Sequence, residues 1–282
     1  MIDPKEIDIL KGALDTLSAA WSDMPPFDQD LDWSAITAVL ERTAEHMRDN
    51  YPYAHPLYAG QMLKPPHPVA RLAYALSLWV NPNNHALDGG RASSAMEKSV
   101  IPRIGAMWGW DHCLGHLTGG GTMANLEALW VAGKLHPGSK VVASSQAHYT
   151  HSRLTEVLGI PFEPVDVTAS GHMDVDHLET LLAGGDVGTV VATMGTTGLG
   201  AVDPLPDILA LQERYGFRIH ADAAYGGYFG LSSLLAEGPR AAFDALGRVD
   251  SVVIDPHKHG LQPYGCGSVL FRDSSVGRYY QH

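Results

Sequence analysis

The chain has 282 residues, of which 45% are hydrophobic and 18% charged, a composition typical of a globular enzyme with one large or two small domains. The formal net charge of −12 disfavours general binding to nucleic acid or an anionic membrane, and two cysteines, Cys113 and Cys266, allow neither a disulfide framework nor a cysteine metal site. The sequence begins without a signal-peptide profile and contains no apolar run near membrane-spanning length, so we expect a cytoplasmic protein.

Residues 1 to about 100 are predicted to be helical and irregular. Apolar residues recur at helical spacing in IDILKGALDTLSAAW and in WSAITAVLERTAEHMRDN. The stretch YPYAHPLYAGQMLKPPHP contains too much proline for regular structure. A further helix is predicted at PVARLAYALSLWV, and its apolar residues are expected to be buried or at an interface.

From about residue 112 onward, short apolar runs alternate with helical patterns. Strands are predicted at HCLGHLT, KVVASS, GTVVATM, FRIHAD, DSVVID and GCGSVLF, and helices at TMANLEALWVAGKL, HSRLTEVLG, DVDHLETLLA and LPDILALQERYG. This alternation favours an α/β fold with a largely parallel sheet. Ligands bind such sheets beyond the carboxyl ends of the strands. Five candidate positions fall there: Thr118–Thr122, His148, Gly195–Thr197, Asp222 and Lys258.

The stretch LTGGGTMANLEAL joins a predicted strand to a predicted helix through three glycines. Backbone amides at a helix N-terminus, with a hydroxyl alongside, suit a phosphate group. The pattern matches neither the P-loop nor the dinucleotide-binding fingerprint. A tight turn with Thr122 as the N-cap explains it equally well.

Single polar residues lie at the ends of four other predicted strands. Asp222 precedes Ala223 and Ala224, which are small enough to let a flat ring approach the backbone, and its carboxylate suits a protonated ring nitrogen; an exposed turn residue is the ordinary alternative. A lone histidine such as His148 is more often a simple polar residue than a catalytic one, but its position beyond a strand end favours contact with a ligand. The hydroxyls of Thr196 and Thr197 lie in another strand-end loop. Lys258 follows VVID, and a buried ammonium there is costly unless a carbonyl compound consumes its charge.

Together these positions supply what a protein contributes to pyridoxal-phosphate chemistry: a phosphate cradle, an imidazole, a carboxylate and a lysine. Six motifs resemble the group II pyridoxal-phosphate decarboxylases, which include glutamate, tyrosine and aromatic amino acid decarboxylases. The motifs are HPLYAGQM, LTGGGTMANLEAL, SSQAHYTHS, ATMGTTGLGAVDP, HADAAYGGYF and DPHKHG. They run from about residue 50 to the end, and DPHK with DAAYGG is highly specific.

The resemblance implies an aspartate-aminotransferase-like fold (fold type I), pyridoxal 5′-phosphate as cofactor, and decarboxylation of an aromatic or acidic L-amino acid to an amine and CO2. Three residues take catalytic roles in this interpretation: Lys258 forms the Schiff base, His148 stacks on the ring, and Asp222 pairs with the pyridine nitrogen. Gly121, Thr122 and His257 are expected to hold the phosphate. Further cofactor contacts are expected from Thr197, Ala224 and Asp255.

The resemblance also implies a homodimer, with residues 1–100 as a dimerisation segment and residues 101–282 as the cofactor-binding domain. Family members continue past this sequence with a mobile loop that carries a catalytic tyrosine, and then a smaller C-terminal domain. We expect neither here, since Tyr279 and Tyr280 lie too close to Lys258 to match that tyrosine. Two alternatives remain open: a cofactor-binding fragment or assembly subunit without turnover on its own, and another reaction such as transamination or aldehyde formation. A separate chain that supplies the C-terminal part is a possible partner.

Overall fold

A computed structural model describes residues 3–25, 29–53, 55 and 57–281 of the chain. It divides into two compact units, Met1–Asn81 and Pro82–His282. Positions 54 and 56 of the proline-rich stretch lie outside the described residues; its other positions up to His67 are irregular, as predicted, and Pro68 begins a helix.

The first unit contains three helices, α1 (Pro4–Ala19), α2 (Trp33–Met47) and α3 (Pro68–Ser77). Asp3 and Asp32 cap the first two, because each side chain accepts a hydrogen bond from a backbone amide of the first turn. The guanidinium of Arg71 on α3 pairs with the carboxylate of Glu6 on α1. None of the described residues of these helices is buried, so the unit exposes much of its apolar surface.

The second unit is built on a seven-stranded sheet with the order β1-β7-β6-β5-β4-β2-β3. Its strands are β1 (Leu114–Thr118), β2 (Lys140–Ser144), β3 (Phe162–Val165), β4 (Val187–Thr193), β5 (Arg218–Asp222), β6 (Ser251–Ile254) and β7 (Gly267–Phe271). Only β7 runs antiparallel to its neighbours among the described pairs. Adjacent strand ends are in register, since Asp222 pairs with Thr193 on one side and Val253 on the other.

Helices accompany the sheet as α4 (Arg91–Ala106), α5 (Gly121–Leu135), α6 (Thr150–Leu158), α7 (Val175–Ala183), α8 (Leu205–Tyr215) and α9 (Glu237–Asp244). Alternate residues of one strand enter different parts of the core. Val252 and Ile254 of β6 pack in the cluster that includes α7 and α8, whereas Val253 packs in the cluster that includes α5. Both faces of the sheet are therefore covered, which explains the near-continuous apolar strands.

Three elements were not anticipated from sequence. β3 contains Pro164 and lies at the sheet edge, the position where proline is tolerated. α4 has Pro102 inside it, and α9 has Pro239 in its first turn, so both lack an uninterrupted helical pattern. The compact units divide near residue 81, because α4 lies in the second unit. The boundary expected near residue 100 came only from the change of pattern along the sequence.

Within the described residues, no helix combines the length and the hydropathy needed to cross a membrane. The cytoplasmic location stays a prediction.

Candidate active site

The predicted site residues gather at one edge of the sheet. The parallel strands β1, β2, β4, β5 and β6 all present their carboxyl ends there, and the antiparallel strand β7 begins there. The glycine loop follows β1, His148 follows β2, Asp222 ends β5 and Lys258 follows β6. The arrangement expected from the strand-end positions is therefore present.

The glycine-rich loop lies against the segment that carries Lys258. Gly120 has φ +143°, a backbone conformation that other residues rarely adopt. A Cβ atom on Gly121 would lie 2.7 Å from Oδ2 of Asp255, so only glycine permits this close approach. Gly120 is the N-cap of α5 and no described side chain caps this helix, so Thr122 is inside the first turn and the N-cap alternative is wrong. First-turn amides therefore remain available to an anion.

Asp222 is a buried carboxylate with three donors. Its Oδ2 accepts hydrogen bonds from Nε2 of His151 at 2.8 Å and from Nδ2 of Asn125 at 3.3 Å, and its Oδ1 accepts one from the amide of Ala224 at 3.1 Å. Burial alone raises the pKa of the Asp222 carboxyl, but the hydrogen bond and charge of His151, with the Ala224 amide and His220, hold that pKa well below its usual range. Asp222 is therefore an anion in the protein interior and not an exposed turn residue.

Lys258 lies beside a second acidic group. Its Nζ is 3.1 Å from Oδ2 of Asp255, and Nε2 of His257 is 3.7 Å from the same oxygen. Burial raises the pKa of the Asp255 carboxyl, although the charges of Lys258 and His257 oppose this effect. The Oδ1 atom of Asp255 is buried and has no hydrogen-bond partner among the described residues. The lysine side chain is 18% exposed, so its amine reaches the surface of the site.

His148 is half-buried at the end of β2. Its Nδ1 lies 2.9 Å from Oγ1 of Thr150. Burial lowers the pKa of the imidazole, Asp222 opposes this, and the charges of Lys258 and His151 reinforce it. A neutral ring is the form suited to lie against a flat aromatic ligand. The electrostatic influence of Asp222 and Lys258 on this ring indicates that the three side chains share one environment.

The remaining predicted contacts, Ala224 and Thr197, differ in how they are held. Ala224 lies between the two acidic residues, because its amide donates to Asp222 and its carbonyl accepts from the amide of Asp255 at 3.2 Å. Thr197 is exposed in the loop after β4, and its side chain has no hydrogen bond within the described part of the chain. The neighbouring Thr196 is buried and accepts from the amide of Ala201. Thr197 is therefore not tied to the cluster.

Four buried polar residues near Asp222 were not identified from sequence: Asn125, His151, His220 and Ser251. A signal existed for two of them. His220 precedes Asp222 by two residues on β5 and so shares its face of the sheet. His151 lies three residues after His148, within the same motif. Neither spacing predicts the contact with Asp222 by itself, because a single histidine is equally compatible with many surroundings.

The family model described as "Pyridoxal-dependent decarboxylase conserved domain" matches residues 61–277, more than half of the chain. The chain belongs to the pyridoxal-dependent decarboxylase family. Family membership implies pyridoxal 5′-phosphate as the cofactor, as the motifs predicted.

Curated relatives of this decarboxylase-family chain carry amino acid decarboxylase names. The chain is 32% identical over 220 residues to a probable L-tyrosine/L-aspartate decarboxylase of Methanothermobacter thermautotrophicus. This match covers 77% of this chain and 60% of the relative. It is 30% identical over 238 residues to an L-aspartate/L-glutamate decarboxylase of Pyrococcus horikoshii, covering 83% and 61%. The chain thus spans about three fifths of the length of these relatives.

Solved structures share the fold. The glutamate decarboxylase domain of a Vibrio parahaemolyticus diaminobutyrate–pyruvate transaminase and L-2,4-diaminobutyrate decarboxylase has a TM-score of 0.79 at 24% identity, covering 99% of this chain and 63% of that one. Mouse CSAD has a TM-score of 0.77 at 25% identity, covering 98% and 58%. The predicted fold class, an α/β fold of type I with a mostly parallel sheet, is confirmed.

The residues at the sheet edge fit pyridoxal phosphate. The first-turn amides of α5 have no side-chain cap among the described residues, and such amides suit a phosphate group. Oδ1 of Asp222 accepts one hydrogen bond within the described structure, and a carboxylate oxygen has room for a second donor. The Lys258 amine, on a side chain that is 18% exposed, follows β6, the strand that pairs with the one ending at Asp222.

Proposed function

We propose that this chain carries out pyridoxal-phosphate-dependent decarboxylation of an acidic or aromatic L-amino acid, with Lys258 as the residue that bonds the cofactor's aldehyde carbon. The observation that supports it most is the juxtaposition of two oppositely charged groups at neighbouring strand ends. The buried, ionised Asp222 ends β5, and the Lys258 amine follows the adjacent β6. Few other chemistries require an interior carboxylate beside an accessible amine.

Pyridoxal phosphate, when bound, withdraws the electron pair that remains on the substrate Cα as the carboxylate leaves as CO2. The role of Asp222 follows from its low pKa: an anion at this place stabilises positive charge on the ring nitrogen. The low-dielectric surroundings strengthen that interaction, and the hydrogen bonds from His151, Asn125 and Ala224 keep the carboxylate fixed before substrate arrives.

Other side chains bind and orient. The first-turn amides at Gly121 and Thr122, together with His257, are positioned to receive the phosphate group. The uncharged His148 ring is suited to pack on the cofactor plane. Asp255 holds Nζ of Lys258 at 3.1 Å, which orients the amine within the site.

Substrate identity is tested by presenting the cofactor-loaded chain with tyrosine, aspartate, glutamate and other aromatic amino acids while amine and CO2 are measured. Equal amounts of amine and CO2 from one substrate class support decarboxylation. Aldehyde or keto-acid products would instead support another reaction on the same residues. Tightly bound cofactor without turnover on any substrate would favour the alternative of a cofactor-binding module.

We also propose that the chain forms a homodimer through its N-terminal unit. The described helices α1, α2 and α3 contain no buried residue, and Trp33, Val69 and Trp79 are 68%, 67% and 61% exposed. Large apolar side chains exposed at several positions of one unit favour a protein interface over a fully solvated surface. A second copy of the chain offers the matching apolar surface, in keeping with the symmetric interfaces of most oligomers.

A further inference from the structure

Behind Asp222 lies a continuous chain of buried polar side chains. Nε2 of His151 contacts Oδ2 of Asp222 at 2.8 Å, and Nδ2 of Asn125 donates to the same oxygen at 3.3 Å. The Oδ1 atom of Asn125 is 2.8 Å from Nε2 of His220, whose Nδ1 is 2.9 Å from Oγ of Ser251. All five residues are buried, so water does not supply alternative partners.

Asp222, the acceptor at one end of this network, fixes the direction of each hydrogen bond from Asn125 to Ser251. An ionised Asp222 only accepts, so Nδ2 of Asn125 faces it and Oδ1 of Asn125 faces His220. Nε2 of His220 must then donate, which leaves its Nδ1 to accept from Ser251. Burial, followed by the charge of His151, lowers the pKa of His220 to about 3, in agreement with this neutral form. The donors thus run in one direction, towards Asp222.

His151 approaches the carboxylate from a different element. It lies on α6, and its Nε2 carries the proton because the facing group is an acceptor. Its Nδ1 is buried and has no partner in the described part of the chain. A buried imidazole with one nitrogen unpaired is costly, and an apolar side chain would pack there at less expense. The contact that offsets this cost is the one with Asp222.

We propose that His151 is a positioning residue for the cofactor: its Nε2–H holds the Asp222 carboxylate ionised and oriented to pair with the positively charged ring nitrogen. This inference rests on the proposed function, since it requires that pyridoxal phosphate binds at this edge of the sheet. The network through Asn125 and His220 supports the same carboxylate oxygen from other elements, α5 and β5. His151 therefore acts through Asp222 and does not itself touch the cofactor.

The expected pH effect has a definite sign. The pKa of Asp222 is lowered in the folded protein, so its charge persists as the pH falls. Without the His151 donor that pKa rises, and protonation of Asp222 with loss of cofactor begins at higher pH. The other charged or titratable groups that influence this region are His148, His220, Asp255 and Lys258, and all of them remain when His151 is replaced.

The test uses the full chain loaded with pyridoxal phosphate and compares His151→Leu with His151→Gln. A glutamine Nε2 donates from nearly the same place as the imidazole Nε2, whereas leucine donates nothing. The leucine variant is expected to bind the cofactor about 10- to 100-fold more weakly, the range for a lost hydrogen bond to a charged group. The glutamine variant is expected to regain most of that affinity.

Two readouts separate positioning from a merely structural role: the dissociation constant of the cofactor, and the pH midpoint of its absorption spectrum. The midpoint should move upward in His151→Leu and return towards the parent in His151→Gln. A matched control is His177→Leu, which removes a histidine–carboxylate pair with Asp166 of 3.0 Å on α7 and should change neither readout. Circular dichroism of the cofactor-free variants verifies that they fold. If His151→Leu does not fold, the proposal is tested by His151→Gln, which should bind the cofactor nearly as tightly as the parent.

An unchanged dissociation constant and midpoint in His151→Leu, with a parent that binds cofactor, would overturn this inference and leave the proposed function standing. Equal losses of affinity in folded leucine and glutamine variants would overturn the donor role as well. A parent that does not bind pyridoxal phosphate at all would overturn both proposals.

Discussion

The carboxyl edge of the sheet and the N-terminal helices differ in which side chains they expose to solvent. At the sheet edge, charged groups are removed from solvent: Asp222 and Asp255 are 6% and 2% exposed. In the N-terminal helices, large apolar groups are left in solvent, as Trp33 at 68% exposure illustrates. Each arrangement is unfavourable unless something binds. Buried charge indicates a ligand with complementary charge, whereas exposed apolar surface indicates a protein partner.

The largest expected effect follows from removing the amine at the sheet edge. Lys258→Ala should lower turnover by at least about a thousand-fold, because the residue that bonds the cofactor is lost. The control is Lys140→Ala, which removes a lysine paired with Glu163 and Asp186 at the opposite end of β2. Turnover of this control should stay near that of the parent. Similar turnover in both variants would show that the sheet edge does not work as proposed.

Removing only the buried charge is a finer change. Asp222→Asn preserves shape and should reduce kcat by about 100- to 1,000-fold, since preorganised electrostatic groups of this kind contribute about 3–4 kcal/mol. Steady-state kinetics of amine formation gives the value. Asp250→Asn serves as a comparison, because Asp250 accepts from the amide of Ile219 at the other end of the sheet. If Asp222→Asn kept the parent kcat, the burial of this carboxylate would need another explanation.

The contrast in burial also predicts that the same Leu→Ala substitution lowers the free energy of unfolding by different amounts in the two regions. Leu129→Ala on α5 removes a fully buried side chain and should lower the free energy of unfolding by about 2–5 kcal/mol. Leu40→Ala on α2 removes a side chain that is 63% exposed and should change it by less than about 0.5 kcal/mol in the dissociated chain. Urea unfolding at low protein concentration measures both. Equal costs would mean that α2 packs against more than the described contacts indicate.

The smallest expected effect concerns the proposed dimer. Trp33→Glu introduces a charge at an exposed apolar position and should weaken self-association by about 2 kcal/mol or more if the tryptophan lies in the interface. Glu41→Gln alters an exposed polar residue of the same helix and should have little effect. Sedimentation velocity over a range of concentrations distinguishes them. A parent that is monomeric at every concentration would remove the proposed role of this unit.

Much of the fold was predictable because burial imposes a pattern. Strands covered on both faces must be apolar throughout, so VVA, VVAT and VVI were recognisable as strands without any contact information. β3 was not predicted because PFEPV is short and contains proline. Proline is accepted in a strand at the sheet edge but not in a central strand. The compact boundary near residue 81 depends on where α4 packs, which no local pattern specifies.

For the candidate site, strand ends and residue types predicted which groups meet but not how they are paired. Asp222, Lys258 and the glycine loop each had a signal in the sequence, and the topology brings them to one edge. The contact between His151 and Asp222 joins residues 71 positions apart, so it follows only from tertiary structure. Thr197 is exposed in the loop after β4, and its cofactor contact stays a prediction.

Covalent trapping tests the central claim most directly. The parent protein is loaded with pyridoxal phosphate, reduced with borohydride, digested and examined by mass spectrometry. The account predicts a single cofactor adduct on the peptide that contains Lys258, and its loss in Lys258→Ala. An adduct on a different lysine, or no stable adduct in a cofactor-saturated parent, would contradict it.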